Sequence, residues 1–143
     1  GGKALPREVL YEQLSYMAPY IELVEEYTLK EAIAFHYGFN AMQCTAAALI
    51  DRLGYPQSTQ NKPLKYFSSG MQQRLKLALA IAADTAVLLL DEPTITLDRA
   101  GMDWYAQLMQ DYAYQPQRLT IVASNVAEDY AGCAHQIDVL AYK

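Results

Sequence analysis

The sequence holds one tryptophan, two histidines, two cysteines and three phenylalanines in 143 residues. Long apolar runs are missing too. None approaches the roughly 18–20 residues that span a bilayer, and the longest uninterrupted one is Leu77 to Ala83. No basic stretch leads into an apolar one near the N-terminus, so the pattern of a secretory signal is absent. Cys44 and Cys133 lie far apart without a CxxC pair. They read as small buried hydrophobes of a reducing compartment, not as a disulfide framework. Positive charge is scarce: 11 Lys and Arg face 16 Asp and Glu, a net charge of −5. An acidic chain without a basic patch does not fit nucleic acid as a partner.

What is there is globular in composition, 52% hydrophobic and 19% charged. No repeat, low-complexity stretch or linker divides the chain, which reads as one domain burying about two-thirds of its unfolded surface. The 12 tyrosines are scattered without a period and read as half-buried core and rim residues.

Glu12 to Ala18 is a short mixed run with strand character. Thr28-Leu29-Lys30-Glu31 has capping-box form and opens a helix, with Ala32, Ile33 and His36 continuing its inner face. A second helix follows Asn40, with Met42, Ala46, Leu49, Ile50 and Leu53 at helical spacing and Gly54 and Pro56 ending it. Residues 55 to 66 are turn-rich. After Ser68-Ser69-Gly70, Leu75, Ala78, Leu79 and Ala82 share one helical face that Leu77 and Ile81 widen, so this helix is expected to be largely buried. Ala86 to Leu90 is an all-apolar run ending in Asp91-Glu92-Pro93, the pattern of a parallel strand covered on both faces. Tyr105, Leu108, Met109 and Tyr112 mark another helix. Leu119 to Ala123 is a second apolar strand ending in Ser124-Asn125, followed by a short helix around 126–133 and a final strand from Ile137 to Tyr142. Strands alternating with helices predict an α/β fold with a parallel sheet. Polar residues just past two strands stand where such sheets place ligands.

Two adjacent carboxylates after a buried strand, Asp91 and Glu92, suit phosphoryl transfer. One can hold Mg²⁺ through its water shell and the next can polarise an attacking water. Taken alone, the string also fits a strand that ends in a solvated acidic turn. Ser68-Ser69-Gly70 at a helix N-terminus offers free N–H groups, hydroxyls and a positive dipole end to an anion. Taken alone, it is a simple N-cap.

In order, these segments resemble the ABC ATPase family. Phe67-Ser68-Ser69-Gly70-Met71-Gln72-Gln73-Arg74 resembles its signature, Leu88 to Thr94 its Walker B strand, Leu97-Asp98 its D-loop, and Ile121 to Asn125 the strand leading to its switch residue. The resemblance implies a P-loop NTPase-like parallel sheet with an inserted helical subdomain, incomplete at the N-terminus. Residues 1–27 would carry a strand and the Q-loop region, 28–83 the helical subdomain and signature helix, and 84–143 the Walker B, D-loop and switch segments. It implies that Asp91 helps hold Mg²⁺ and that Glu92 is the general base. Ser68, Ser69, Gly70 and Met71 would meet ATP bound to the other subunit of a head-to-tail dimer, and Asp98 would sit at the dimer seam. Residues 28 to about 66 would dock on a transmembrane permease, with the chain cytoplasmic and peripheral on the inner face of the cell membrane. A soluble ABC-type ATPase without a membrane partner, and a non-catalytic docking module, are the alternatives.

The departures from the family pattern matter as much. The Q-loop glutamine position is Pro19, whose side chain neither donates nor coordinates. The switch histidine is Asn125, which can orient a phosphate or water but carries no proton at neutral pH. Ser69 replaces a signature glycine and Met71 the signature glutamine. No G-x-x-x-x-G-K-[ST] motif occurs, and Gly2-Lys3 is followed by Ala4. The 143 residues are therefore expected not to hydrolyse ATP by themselves. The resemblance also puts a missing strand between 119–124 and 137–142. Its absence would leave two apolar strand edges that recruit a neighbour, collapse together or disorder.

Overall fold

The computed structural model describes residues 6–142, so Gly2-Lys3-Ala4 lies outside them. Eight regular elements follow in order: α1 (Arg7–Glu12), β1 (Leu14–Met17), α2 (Leu29–Phe39), α3 (Ala46–Leu53), α4 (Ser69–Ile81), β2 (Val87–Asp91), α5 (Arg99–Leu108) and β3 (Leu119–Ala123). Short 3₁₀ turns and a π turn over Met109–Ala113 fill the connections. The strands form one parallel sheet in the order β1-β2-β3. Leu14 pairs with Val87 and Val87 with Leu119, so all three strands end at one edge.

Local chemistry accounts for most boundaries. Thr28 and Glu31 form the expected reciprocal cap: the Thr28 hydroxyl accepts from the Glu31 N–H at 3.3 Å, and the Glu31 carboxylate accepts from the Thr28 N–H at 2.8 Å. The second helix starts later than its spacing suggested. Thr45 is its N-cap, accepting from the Ala48 N–H, whereas Asn40 closes α2 by donating to the His36 carbonyl. Met42 therefore lies outside α3, in a bridge to Ala83. Gly54 ends α3 at φ 66°, a left-handed turn that glycine adopts freely. The helix α1, preceded by Pro6, was not anticipated from the sequence.

Two cores share α4. Leu75, Ala78, Leu79 and Ala82 pack with Leu29, Ile33, Leu49, Leu53, Leu64 and Phe67 in a helical cluster. Leu77, Ala80 and Ile81 pack with Met17, Leu88, Leu90, Tyr105 and Leu108 against the sheet. The helix is buried on both sides, as its composition predicts. At roughly 1.5–3 kcal/mol for each large apolar side chain buried, these clusters outweigh any single polar contact in the fold.

Three expectations are corrected. The all-apolar β2 is covered on one face: Leu88 and Leu90 are buried, while Val87 and Leu89 are half-buried. The register brings Leu89 between Tyr16 and Ile121, both exposed, so no element among the described residues covers that face fully. The expected helix around 126–133 is one 3₁₀ turn, Ala127–Tyr130. The expected strand from Ile137 to Tyr142 is absent, and Val139–Tyr142 is a 3₁₀ turn with exposed side chains. A strand persists by pairing, and no strand among the described residues lies beside β3 on its outer edge.

Leu119 is 58% and Ile121 49% exposed along that unpaired edge, and Ile137 and Leu140 are exposed as well. Such an edge recruits other chains. Light scattering on the 143-residue chain is expected to show species heavier than one copy, and a monodisperse monomer would contradict this.

His36 gives a pH dependence. It is half-buried, and its Nε2 has no hydrogen-bond partner among the described residues. Burial pushes its pKa below the ordinary 6.5, with the Leu79 backbone opposing in part. The folded state therefore holds this proton less readily than the unfolded chain. The stability from the neutral ring is complete above the unfolded value of 6.5 and is lost as pH falls from there through the lower folded value. Urea midpoints should fall on acidification from about 6.5, and His36→Met should flatten that part of the curve. An unchanged slope in the variant would assign the effect to other groups.

Candidate functional site

The carboxyl ends of β2 and β3 meet at the last ladder pair, Asp91 and Ala123. Glu92 follows with its N–H donating to the Ala123 carbonyl at 2.8 Å and a backbone φ of 44°. An L-residue in this left-handed region costs about 1–2 kcal/mol. Such strain persists where the surroundings over-determine it. The Asn125 side-chain amide donates to Glu92 Oε1 at 3.1 Å, and Ser124 Oγ lies 3.5 Å from Oε2. Asp91, Glu92 and Asn125 are thus brought together, with both carboxylates half-buried and Asn125 exposed.

The other expected residues lie on separate elements. Ser68 is the N-cap of α4, its hydroxyl accepting from the Met71 N–H at 3.2 Å. Ser69 is exposed in the first turn. A Cβ on Gly70 would lie 3.3 Å from the Thr96 carbonyl, so glycine lets the helix start rest on the loop after β2. Met71 packs its side chain against the helical cluster, and its carbonyl accepts from Tyr55 Oη at 2.6 Å. The buried Gln73 amide donates to the Pro93 carbonyl at 2.8 Å, fixing α4 relative to the β2 turn. No hydrogen bond among the described residues joins Ser68, Ser69 or Gly70 to Glu92 or Asn125. Asp98 caps α5 through the Gly101 N–H at 2.8 Å. Pro19 is exposed past the end of β1, and its carbonyl accepts from Lys76 Nζ at 3.2 Å.

Sequence reasoning missed Thr94, Ser124 and Asp129 as a group. Asp129 is 1% exposed and accepts from Thr94 Oγ1 and Ser124 Oγ, each at 2.6 Å. Tyr105 donates to the Asp129 carbonyl at 2.8 Å, and burial raises its phenol pKa far above the usual range, which keeps it a donor. No local pattern marks Asp129, since its partners lie in two other segments. No group of three or more His, Cys, Asp or Glu among the described residues forms a protein-built metal cage. No helix among them is long and apolar enough to cross a membrane.

The sequence profile described as ABC transporter matches residues 4–95, well over half of the chain. The chain is 39% identical over 71 residues to the "probable ATP-binding protein YheS" of Haemophilus influenzae, a match covering 50% of the chain and 11% of that protein. It is 32% identical over 114 residues to the cytochrome c biogenesis ATP-binding export protein CcmA of Nitrobacter hamburgensis, covering 73% of the chain and 53% of that protein. The chain thus spans between about a tenth and a half of the length of these relatives. Its fold matches a dimeric ATP-binding cassette solved in a post-hydrolysis state with ADP and Pi, at a TM-score of 0.69 and 18% identity. That match covers 87% of this chain and 59% of the other. The α/β architecture is that of an ABC ATPase cassette.

The backbone at Glu92 has a direct test. Glu92→Gly is expected to raise folding stability by up to about 1 kcal/mol, and Glu92→Val to lower it, because only glycine enters the left-handed region freely. Equal urea midpoints for the two variants would show that this φ is not held in solution.

Proposed function

Because the chain belongs to the ABC transporter family of ATP-binding domains, we propose that it is part of the ATP-hydrolysing subunit of an ABC transporter. That subunit works as a head-to-tail dimer, docks through residues 28 to about 66 on a transmembrane permease, and sits on the cytoplasmic face of the membrane. Residues 28–83 are its helical subdomain with the signature helix. The observation that carries the catalytic reading is the Glu92 carboxylate, held at 3.1 Å by the Asn125 amide at the open edge of the sheet.

In this reading Glu92 is the general base that takes a proton from the attacking water, and Asn125 fixes its direction. Asp91, next to it, would hold Mg²⁺. A half-buried carboxylate suits this ion, which is usually held by one or two carboxylates together with substrate phosphates and water. Magnesium neutralises charge on the phosphate oxygens. The Ser68 hydroxyl already accepts from Met71, which leaves its own hydrogen for a phosphate oxygen of ATP on the facing subunit. Ser69 and Gly70 add first-turn N–H groups. Met71 is turned toward the helical core and its N–H is spent on the Ser68 cap, so at this position it supports the helix start and does not itself meet the phosphate. Asp98, exposed at the start of α5, faces the dimer seam. The Pro19 position has no side-chain donor, so coupling to the permease there runs through the backbone. A soluble ABC-type ATPase is the second reading, favoured by a relative whose name mentions ATP binding and no transport.

In the full-length subunit, Glu92→Gln is expected to cut turnover by about 10²–10⁴-fold, the usual worth of a general base, with nucleotide binding retained. The 143-residue chain, which has no G-x-x-x-x-G-K-[ST] motif, should release no more phosphate than its own Glu92→Gln variant. A full-length loss under tenfold would remove Glu92 from the role.

A further inference from the structure

The buried carboxylate of Asp129 lies behind the site, and the hydrogen bond between Glu92 and Asn125 does not involve it. It bridges two loops. Thr94 belongs to the turn after β2 that carries Glu92, and Ser124 to the end of β3 that carries Asn125. Ser124 is the decisive residue. Its oxygen accepts from the Val126 N–H at 3.0 Å, and its single hydroxyl hydrogen has two carboxylates in reach. Asp129 Oδ2 is 2.6 Å away and Glu92 Oε2 is 3.5 Å away. One hydrogen serves one acceptor, and the shorter contact is the hydrogen bond.

We infer that Asp129 is a positioning residue that draws the Ser124 hydroxyl hydrogen to itself and so leaves Glu92 Oε2 without a donor. The inference rests on the reading of Glu92 as general base. A hydroxyl donating to that carboxylate would stabilise its charged form and weaken it as a proton acceptor. Asp129, an acceptor at both oxygens, prevents this while tying the two loops together. An asparagine of the same shape would still accept from Thr94 through its carbonyl. Its amide would donate to Ser124 Oγ and turn the serine hydrogen toward Glu92.

The test is a double-substitution cycle in the full-length protein. Asp129→Asn is expected to lower turnover about three- to tenfold, a fraction of what the base itself is worth, with the KM for ATP within about twofold. In a Ser124→Ala background the same change should have no further effect, because no hydroxyl remains to be redirected. Wild-type turnover for Asp129→Asn, or an equal loss with and without Ser124, would overturn the inference. Glu92→Gln measured alongside separates it from the reading beneath it. Full turnover there ends both, whereas a loss there and none with Asp129→Asn ends only this inference. Neutron diffraction from the unsubstituted protein gives an answer independent of activity and of how the variant folds. A deuterium on the Asp129 side of Ser124 is expected, and one between Ser124 and Glu92 would refute the assignment.

Discussion

The guanidinium of Arg118 closes the foot of the molecule. It donates to the Ile81 and Ala80 carbonyls at the end of α4, to the Tyr112 carbonyl in the π turn, and to the hydroxyls of Ser15 and Thr85. Those hydroxyls bond each other at 2.9 Å beside the starts of β1 and β2. One cation therefore satisfies the orphan carbonyls of a helix end, complements the negative end of its dipole, and pins the strands to that helix. Burial lowers its pKa, with the Asp84 charge opposing, yet a guanidinium starts far enough above neutrality to stay charged. Even half-buried, a cation is costly unless its donors are met, and four of the five N–H groups of Arg118 have acceptors within reach.

With its foot fixed, α4 is a rod. Its 13 residues rise about 1.5 Å each, which carries Ser68 from the foot of the sheet to the edge where β2 and β3 end. The packing of α4 into both cores removes its freedom to rotate, and the Gln73 bond to Pro93 sets its height. The close approach of Gly70 to Thr96 follows from that placement. The strained turn at Glu92 is held from three sides: the ladder to Ala123, the Gln73 bond, and Thr94 anchored on Asp129. A loop held only by its own residues would relax this φ.

The parts of the fold legible in the sequence are those whose cause is local. Thr28 and Glu31 are three residues apart and cap each other, so the start of α2 is written in four letters. The face of α4 that meets the helical cluster follows from the spacing of Leu75, Ala78, Leu79 and Ala82. Asp91 and Glu92 are adjacent, so their convergence needs no tertiary fact. The errors fall where the cause is remote. An apolar run from Ile137 to Tyr142 has strand character, but a strand exists only by pairing, and no described strand runs beside this segment. The run at Val87–Leu90 says apolar, not which of its faces is covered. Met42 has helical spacing with Ala46 and Leu49, yet Thr45 is the better cap and excludes it. Asp129 reads as one more acidic residue in a polar stretch, because the hydroxyls that define it come from positions 94 and 124.

An asparagine at position 125, where the family resemblance would put a histidine, has a geometric consequence on the reading proposed for the site. An ionised carboxylate only accepts, so the amide must turn its NH₂ toward Glu92 and its carbonyl away. That NH₂ carries two hydrogens. One serves Glu92 Oε1, and the other projects from an exposed side chain at the open edge of the sheet. A neutral imidazole has a single N–H and must choose between base and phosphate unless it takes up a proton. The amide can bridge a carboxylate and a phosphate oxygen at once without taking up a proton. What it gives up is proton exchange with either. On the reading proposed for this site, every proton leaving the attacking water must therefore end on Glu92, and this makes the hydrogen bonds around that one carboxylate the point where turnover is set.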